Sequence, residues 1–540
     1  MAIAPVRAAA CVLLAATLGS LGAGCMRSAS LPELDQSPVA AADPGSSLPA
    51  DWTAGPFMEI FVRGYQDSDG DGRGDLRGLT QRLDYLADLG IRGLWLMPIT
   101  ESQDHDHGYA VTDYRALEQD YGTLEELDEL LAQAHARGIG VILDYVMNHS
   151  GAQHPAFLRA SDRRGDAVFD WYVWERDRPA GWRIYGNDPW HPSRGSRPGF
   201  YFAGFWDQMP DFNLQNPEVV AWHHDNLRFW LNRGVDGFRF DAVGNLVEHS
   251  AEAWENQPEN YALMGQVAQL VGSYQRRYVI CEGPADPGGF AAETACGAAF
   301  AFGRQYDFIA AAKGDRAAVG KVAAHVAAGS SRLSAIASNH DTFAGQRLFD
   351  QVGGDLRRYR LAAATYLLQV GTPFVYYGEE IGLAGAARLG GDPKLRTPMS
   401  WTAEPVTAGF TSGVPFRELS ANVATHNVAA QLADPGSLWS FYRALFALRR
   451  SSPALAQGVA DLVQAEDLVL RFRRQLGGQS VVVAMNYEDA ARTTQMSGLP
   501  PGARLARAFP AGAADATVDG QGVASLTLGA LEAAVFRVVP

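Results

Sequence analysis

The sequence predicts an α/β protein: a (β/α)8 barrel with a loop-rich subdomain inserted after the third strand and a C-terminal antiparallel β-sandwich domain. Three observations predict it. From residue 56 onward, short continuous apolar runs alternate with amphipathic stretches of helical period, the pattern of parallel strands buried on both faces and separated by helices. Polar and charged residues gather where those runs end, as they do at the C-terminal rim of such barrels. After about residue 456 the pattern changes to short alternating runs, Leu468–Arg473 and Ser480–Met485, which read as antiparallel strands. A chain of 540 residues exceeds one ordinary core, so a barrel with additional domains suits the length.

In chain order, Arg7 and the apolar stretch Ala8–Ala23 have the form of an export signal over residues 1–24. Leu21–Cys25 (LGAGC) resembles a lipoprotein cleavage box and marks Cys25 as a candidate lipid anchor. Residues 25–50, rich in Ser, Ala, Pro and Asp, read as a flexible tether. The expected location is therefore outside the cytoplasm: periplasmic, outer-membrane-anchored or secreted. No later run is long enough to span a bilayer.

The barrel is expected over 51–149 and 218–455. Its strands are read at Pro56–Val62, Gly93–Pro98, Gly140–Val146, Gly234–Val243, Tyr278–Glu282, Leu333–Asp341 and Pro373–Glu379, with a fainter eighth near Ala299–Phe308. Leu124–Arg137 reads as a helix between them. Residues 150–217 carry five Trp among many Gly, Pro and Arg and read as the insertion; 456–540 form the last domain. Cys281 and Cys296 fit equally a disulfide or two buried small apolar residues. A net charge of -15, with no basic stripe, argues against a nucleic-acid partner.

The chemistry centres on Gly234–Val243. Arg239 and Asp241 lie two apart and share one face of a strand, while Phe238 and Phe240 take the other. Charged groups are rarely buried unless paired, and an Arg beside a carboxylate favours its ionised form. Asp144 to His149, Glu282, and His340 with Asp341 fall at the ends of other predicted strands and would converge on the same rim. In the loop Asp67–Asp75, acids recur at nearly every second position among glycines, a density of hard oxygen ligands that suits Ca²⁺. Asp67, Asp69, Asp71, Arg73 and Asp75 are its candidate ligands, and Gly78 at the twelfth position departs from an EF-hand.

DYVMNH (144–149), GFRFDAV (237–243), the Glu of CEGPAD (Glu282) and SNHD (338–341), in that order, resemble the four signature regions of the α-amylase family of glycoside hydrolases. HGY (107–109), MPDFN (209–213) and GTPFVYYGEEIG (371–382) resemble its auxiliary motifs, and the resemblance spans roughly 55–455. It implies Asp241 as nucleophile, Glu282 as general acid/base and Asp341 as the third carboxylate, with Tyr109, His149, Arg239 and His340 lining the subsite of the attacked glucose. Asp106 and Arg396 resemble a pair that closes off the non-reducing end in exo-acting relatives. Relatives that hold a calcium near the Asn of the first motif, here Asn148, carry a His shortly after the nucleophile, where this sequence has Gly244-Asn245.

The resulting expectation is an exported, retaining hydrolase of α-1,4-glucosidic bonds in starch fragments and malto-oligosaccharides, with endo-cleavage preferred. An exo-acting α-glucosidase and a transglycosylase or isomerase such as trehalose synthase share the same acids. A sugar-binding barrel without catalysis would be expected to lack at least one of them.

Overall fold

The computed structural model describes residues 33–162, 165–512 and 514–540; the export segment and Cys25 lie outside them. Eight parallel strands form the central sheet: β1 Phe57–Ile60, β2 Gly93–Leu96, β3 Gly140–Tyr145, β4 Gly237–Phe240, β5 Tyr278–Cys281, β6 Ala299–Phe300, β7 Leu333–Ser334 and β8 Phe374–Tyr376. Each pairs with its neighbour in the chain, β8 returns to β1, and a parallel bridge from Ala335 to Pro373 brings the remaining gap between β7 and β8 to near closure.

Two-residue periodicity sets the contents of the barrel. Phe57, Trp95, Ile142, Ile280, Phe300 and Phe374 fill its lower interior as one cluster, with Phe57 stacked on Phe374 at 4.7 Å between ring centroids. Two positions further along β1 and β3 the same face carries Glu59 and Asp144, and the residue after β5 is Glu282. Phe238 and Phe240 point the other way, into the layer between sheet and helices. Gly237, at φ +141°, opens β4 against Tyr278, where a Cβ would lie 1.8 Å from the Tyr278 carbonyl oxygen. Only glycine lets β4 and β5 approach that closely.

Helix Leu124–Ala136 forms as read, started by a capping box between Thr123 and Glu126. The faint strand near 299–308 covers only Ala299–Phe300 and gives way to helix Arg304–Ala312. Likewise the stretch ending at Asp341 is strand only at Leu333–Ser334.

Residues 33–50 have no helix or strand, but they differ from a free tether. The Asp35 carboxylate meets Arg115 at 3.0 Å, Asn232 receives the Ala42 N–H at 2.8 Å, and Asp43 receives the Gln275 N–H at 2.8 Å. Leu48 is fully buried in the aromatic cluster at the barrel base. The segment obtains its hydrogen bonds from barrel side chains instead of from its own backbone, so low apolar content did not prevent it from docking.

The inserted segment contains a three-stranded antiparallel sheet, Trp174–Glu175 and Trp190–Pro192 flanking Phe200–Phe202. Trp171, Trp182 and Trp190 are core, whereas Trp206 is 45% exposed. The C-terminal part pairs six antiparallel strands in one sheet, with a two-stranded sheet, Arg492–Met496 and Ala524–Leu528, beside it. Cys281, the last residue of β5, is disulfide-bonded to Cys296.

Candidate active site

Arg239 is the hub of the rim. It has no exposed surface, and its guanidinium meets Asp144 at 2.8 Å, Asp241 at 2.6 Å and Glu282 at 2.6 Å. Strand register explains the convergence: Asp144 of β3 and Ile280 of β5 sit opposite Arg239 on either side of β4. Tyr109 donates to Asp144 at 3.0 Å and contacts His340 Nε2 at 2.7 Å. His340 in turn reaches Glu59 through Nδ1 at 2.5 Å and Asp341 through Nε2 at 3.1 Å. Arg396 completes the ring, donating to Asp341 at 2.8 Å and to the His340 carbonyl at 3.0 Å.

The three carboxyls sit in different surroundings. Burial, with Asp241 and Asp341 nearby, pushes Glu282 up to about 8 against the opposing pull of Arg239. Asp341 is also buried, but His340 and Arg396 outweigh that and hold it well below the usual carboxylate range. Burial raises Asp241 as well, with Arg239 opposing and Asp144 adding to the rise. Arg239 is shared among three acids, so it favours the ionised form of Asp241 less than a dedicated partner would. His340 overcomes its own burial through Asp341 and Glu59 and is pushed up to about 10. His149 has no charged partner to offset burial, which lowers it to about 3; its buried Nε2 has no hydrogen-bond partner among the described residues.

Asp241 and Glu282 take the two adjacent guanidinium nitrogens of Arg239, Nη1 and Nη2, each at 2.6 Å, which brings the two carboxyls side by side. That is the close spacing of carboxyl pairs that act with retention, not the roughly 6.5–9.5 Å that leaves room for an intervening water. A cavity of about 800 Å³ opens over them, lined by Tyr109, His149, Asp241, Glu282, Asp341 and Arg396 at its charged part and by Tyr185, Phe205, Trp206 and Phe343 among its apolar walls. One protonated and one ionisable carboxyl facing a cavity of sugar size can protonate a leaving oxygen and attack the carbon it leaves.

The profile of the alpha amylase catalytic domain matches residues 59–458. The chain belongs to the alpha-amylase family. As a member it is an enzyme of α-glucosidic bonds, and its relatives divide over what is done with those bonds. It is 31% identical to Alpha-amylase 3 of Dictyoglomus thermophilum, over 81% of this chain and 85% of that protein. Identity is also 31% to a probable alpha-glucosidase of Rhizobium meliloti, over 82% and 91%. It is 32% identical to the trehalose synthase/amylase TreS of Mycolicibacterium smegmatis, over 78% and 80%. Among solved structures, the alpha-glucosyl transfer enzyme XgtA superposes with a TM-score of 0.77 at 28% identity, covering 91% of this chain and 99% of that one. The trehalulose synthase MutB of Pseudomonas mesoacidophila gives 0.77 at 25%, covering 90% and 99%.

Within this family member, two sequence expectations need correction. Asp106 and Arg396 do not pair: both oxygens of Asp106 accept from Arg417, at 2.7 and 2.6 Å, while Arg396 is taken by Asp341 and Asp392. Arg417 also donates to the Arg396 carbonyl at 3.1 Å, so it links the two positions, which do not meet directly. In the acidic loop, Asp67, Asp69 and Asp71 each bring an oxygen within 4.8 Å of the others. Asp75 stays outside that group, because it accepts from Ser68 and caps helix Leu76–Gln81 through the Gly78 N–H at 2.7 Å. The Arg73 side chain lies against Asp71 and Asp120.

Sequence reasoning missed Glu59, Asp392 and Arg417 and passed over Asp144 as a partner of Arg239. Glu59 carried a usable signal. A lone acid inside the apolar run Phe57–Val62 is the same anomaly that drew attention to Arg239.

Proposed function

We propose that this protein removes or transfers single α-glucosyl units from the non-reducing end of short α-glucosides, with retention of configuration. Asp241 attacks the anomeric carbon as Glu282 gives its proton to the departing oxygen, leaving a glucosyl ester on Asp241. Glu282 then takes a proton from the incoming water or sugar hydroxyl, which displaces Asp241 and restores both carboxyls. Asp341, held ionised between His340 and Arg396, would bind the ring hydroxyls, and the unpartnered Nε2 of His149 would receive another. Enclosing Arg239 among acids maintains the negative charge that an oxocarbenium-like transition state requires.

The observation that carries the single-unit reading is the Asp106–Arg417–Arg396 link. It straps the loop bearing His107 and Tyr109 to the segment bearing Arg396, three residues that line the cavity, and on this reading the strap closes that side to further sugar units. This favours a pocket over the open cleft expected of endo-cleavage. A maltoheptaoside capped on its non-reducing glucose tests it. The capped substrate should be refused while the uncapped one releases glucose, because a cap would clash and leave buried charges unsatisfied. Ready cleavage of the capped substrate supports the endo reading instead.

We further propose that Asp67, Asp69 and Asp71 hold a structural Ca²⁺. Their all-oxygen donor set suits a hard cation. Asp67 already accepts from the N–H groups of Asp69, Gly70 and Gly72 and from the Thr411 hydroxyl, which orients the cluster. Export and lipidation at Cys25 remain proposals resting on residues 1–25.

A further inference from the structure

Glu255 lines the cavity, and no step proposed above uses it. It sits between β4 and helix Pro258–Gly272 on a loop that is firmly held. The Asn256 N–H donates to the Gly244 carbonyl at 2.7 Å, Asn260 Nδ2 donates to the same oxygen at 2.6 Å, and Gln257 donates to the Glu255 carbonyl at 2.8 Å. Its Cγ lies 3.6 Å from the place a Cβ on Gly244 would occupy, which sets the side chain along the turn just beyond Asp241. Its neighbours there are Trp254, whose ring meets Tyr185 edge-on at 5.5 Å, and Asn245, which accepts from the Tyr185 hydroxyl at 3.2 Å.

Every other carboxylate in this cavity has a cation or a hydrogen bond from the protein: Asp241 and Glu282 have Arg239, and Asp341 and Asp392 have Arg396. Glu255 has none among the described residues, and only burial acts on it, raising its pKa. Glu255 is half-buried, so water can reach its carboxylate, and a ligand that displaces that water must supply donors in its place. The groups that would hold glucose lie on the other side, around Asp341, His340 and Arg396. Glu255 faces the side with Tyr185, where aromatic rings offer a stacking surface.

We propose that Glu255 selects the leaving group and the acceptor, its carboxylate accepting hydroxyl hydrogens from the sugar unit that departs from the anomeric carbon or arrives at it. This rests on reading the cavity as a glucosyl-transfer pocket. The occupant is a polyhydroxylated sugar, whose hydroxyls meet Glu255 while its apolar face covers Tyr185.

The test compares maltose with 4-nitrophenyl α-glucoside, which presents the same glucosyl group but a leaving group without sugar hydroxyls. In Glu255→Ala the ratio of kcat/KM for maltose to that for the aryl glucoside should fall about tenfold or more, as expected for losing a hydrogen bond to a charged group. Glu255→Gln, which keeps one acceptor oxygen, should fall less, and it remains informative if the Ala variant does not fold. With maltose as both donor and acceptor, the yield of transfer product per glucose released should fall in parallel. A ratio within twofold of wild type in both variants overturns the proposal and leaves the pocket reading standing. A wild-type protein that turns over neither substrate overturns both.

Discussion

At the scale of the residue, the decisive fact is that one buried arginine faces three carboxyls in different protonation environments. With Glu282 raised to about 8, its proton is present at neutral pH and is lost as pH rises through that value. The kcat/KM profile should therefore fall on its alkaline side near pH 8, approaching tenfold per unit. Asp241 acts ionised, and its pKa is raised above the ordinary carboxylate value of 3.8, so the acid limb should lie above that value. A profile flat through pH 9 would contradict the assignment of Glu282 as the acid. Replacing Glu282 with Gln should cost roughly 10²–10⁴ in turnover of unactivated substrates, and Asp241→Asn at least as much, because no neighbour can form the ester. Retention of more than about a tenth of the activity by either variant would contradict these roles.

At the scale of the element, strand alternation explains why this much of the site was readable. A charged residue in an apolar run stands out, and two-residue spacing says which face it shares, so the sequence alone places Arg239 and Asp241 together. Strands β6 and β7, each two residues long in the structure, leave little pattern to read. Arg417 was not legible at all: it lies in a loop without periodicity and meets Asp106 across 311 residues. The acidic loop Asp67–Asp75 was half legible. Regular spacing identified its acids, but spacing cannot show that Asp75 is committed to a helix N-terminus. The Arg417 strap carries its own prediction. Arg417→Ala frees Asp106, loosens the loop bearing Tyr109, and should raise KM for maltose more than it lowers kcat while allowing some cleavage of the end-capped maltoheptaoside. An unchanged KM and continued refusal of the cap would show that Arg417 has no part in closing the pocket.

At the scale of the whole molecule, the charges that form the site also tie stability to pH. His340 is raised from 6.5 to about 10 on folding, so its contribution is fully present below about pH 6.5 and is lost as pH rises through about 10. Asp341 has the opposite sign. Its folded pKa is depressed below 3.8, so its contribution is present above that value and is lost as pH falls below it. The melting temperature should thus decline toward pH 10, and the His340→Gln variant should lose that part of the decline; parallel curves would contradict the linkage. The proposed calcium would act globally too, because an ion bound only to the folded chain stabilises it by mass action. Chelation should lower the melting temperature, and calcium should restore it. An unchanged melting curve, with no calcium found by elemental analysis, would contradict the site. The barrel base offers a further whole-chain contact, since Leu48 is buried there and joins residues 33–50 to the catalytic unit.

Uptake of one glucosyl unit by Asp241 in a closed pocket can be checked by mass spectrometry of the Glu282→Gln protein after exposure to α-glucosyl fluoride and, separately, to α-maltosyl fluoride. Fluoride leaves without needing a proton from residue 282, so the first half of the reaction can proceed and the ester can accumulate. A single glucosyl adduct is expected on the peptide containing Asp241 from the first reagent, and no adduct from the second. A maltosyl adduct on Asp241, or a glucosyl adduct on any other carboxyl, would contradict it.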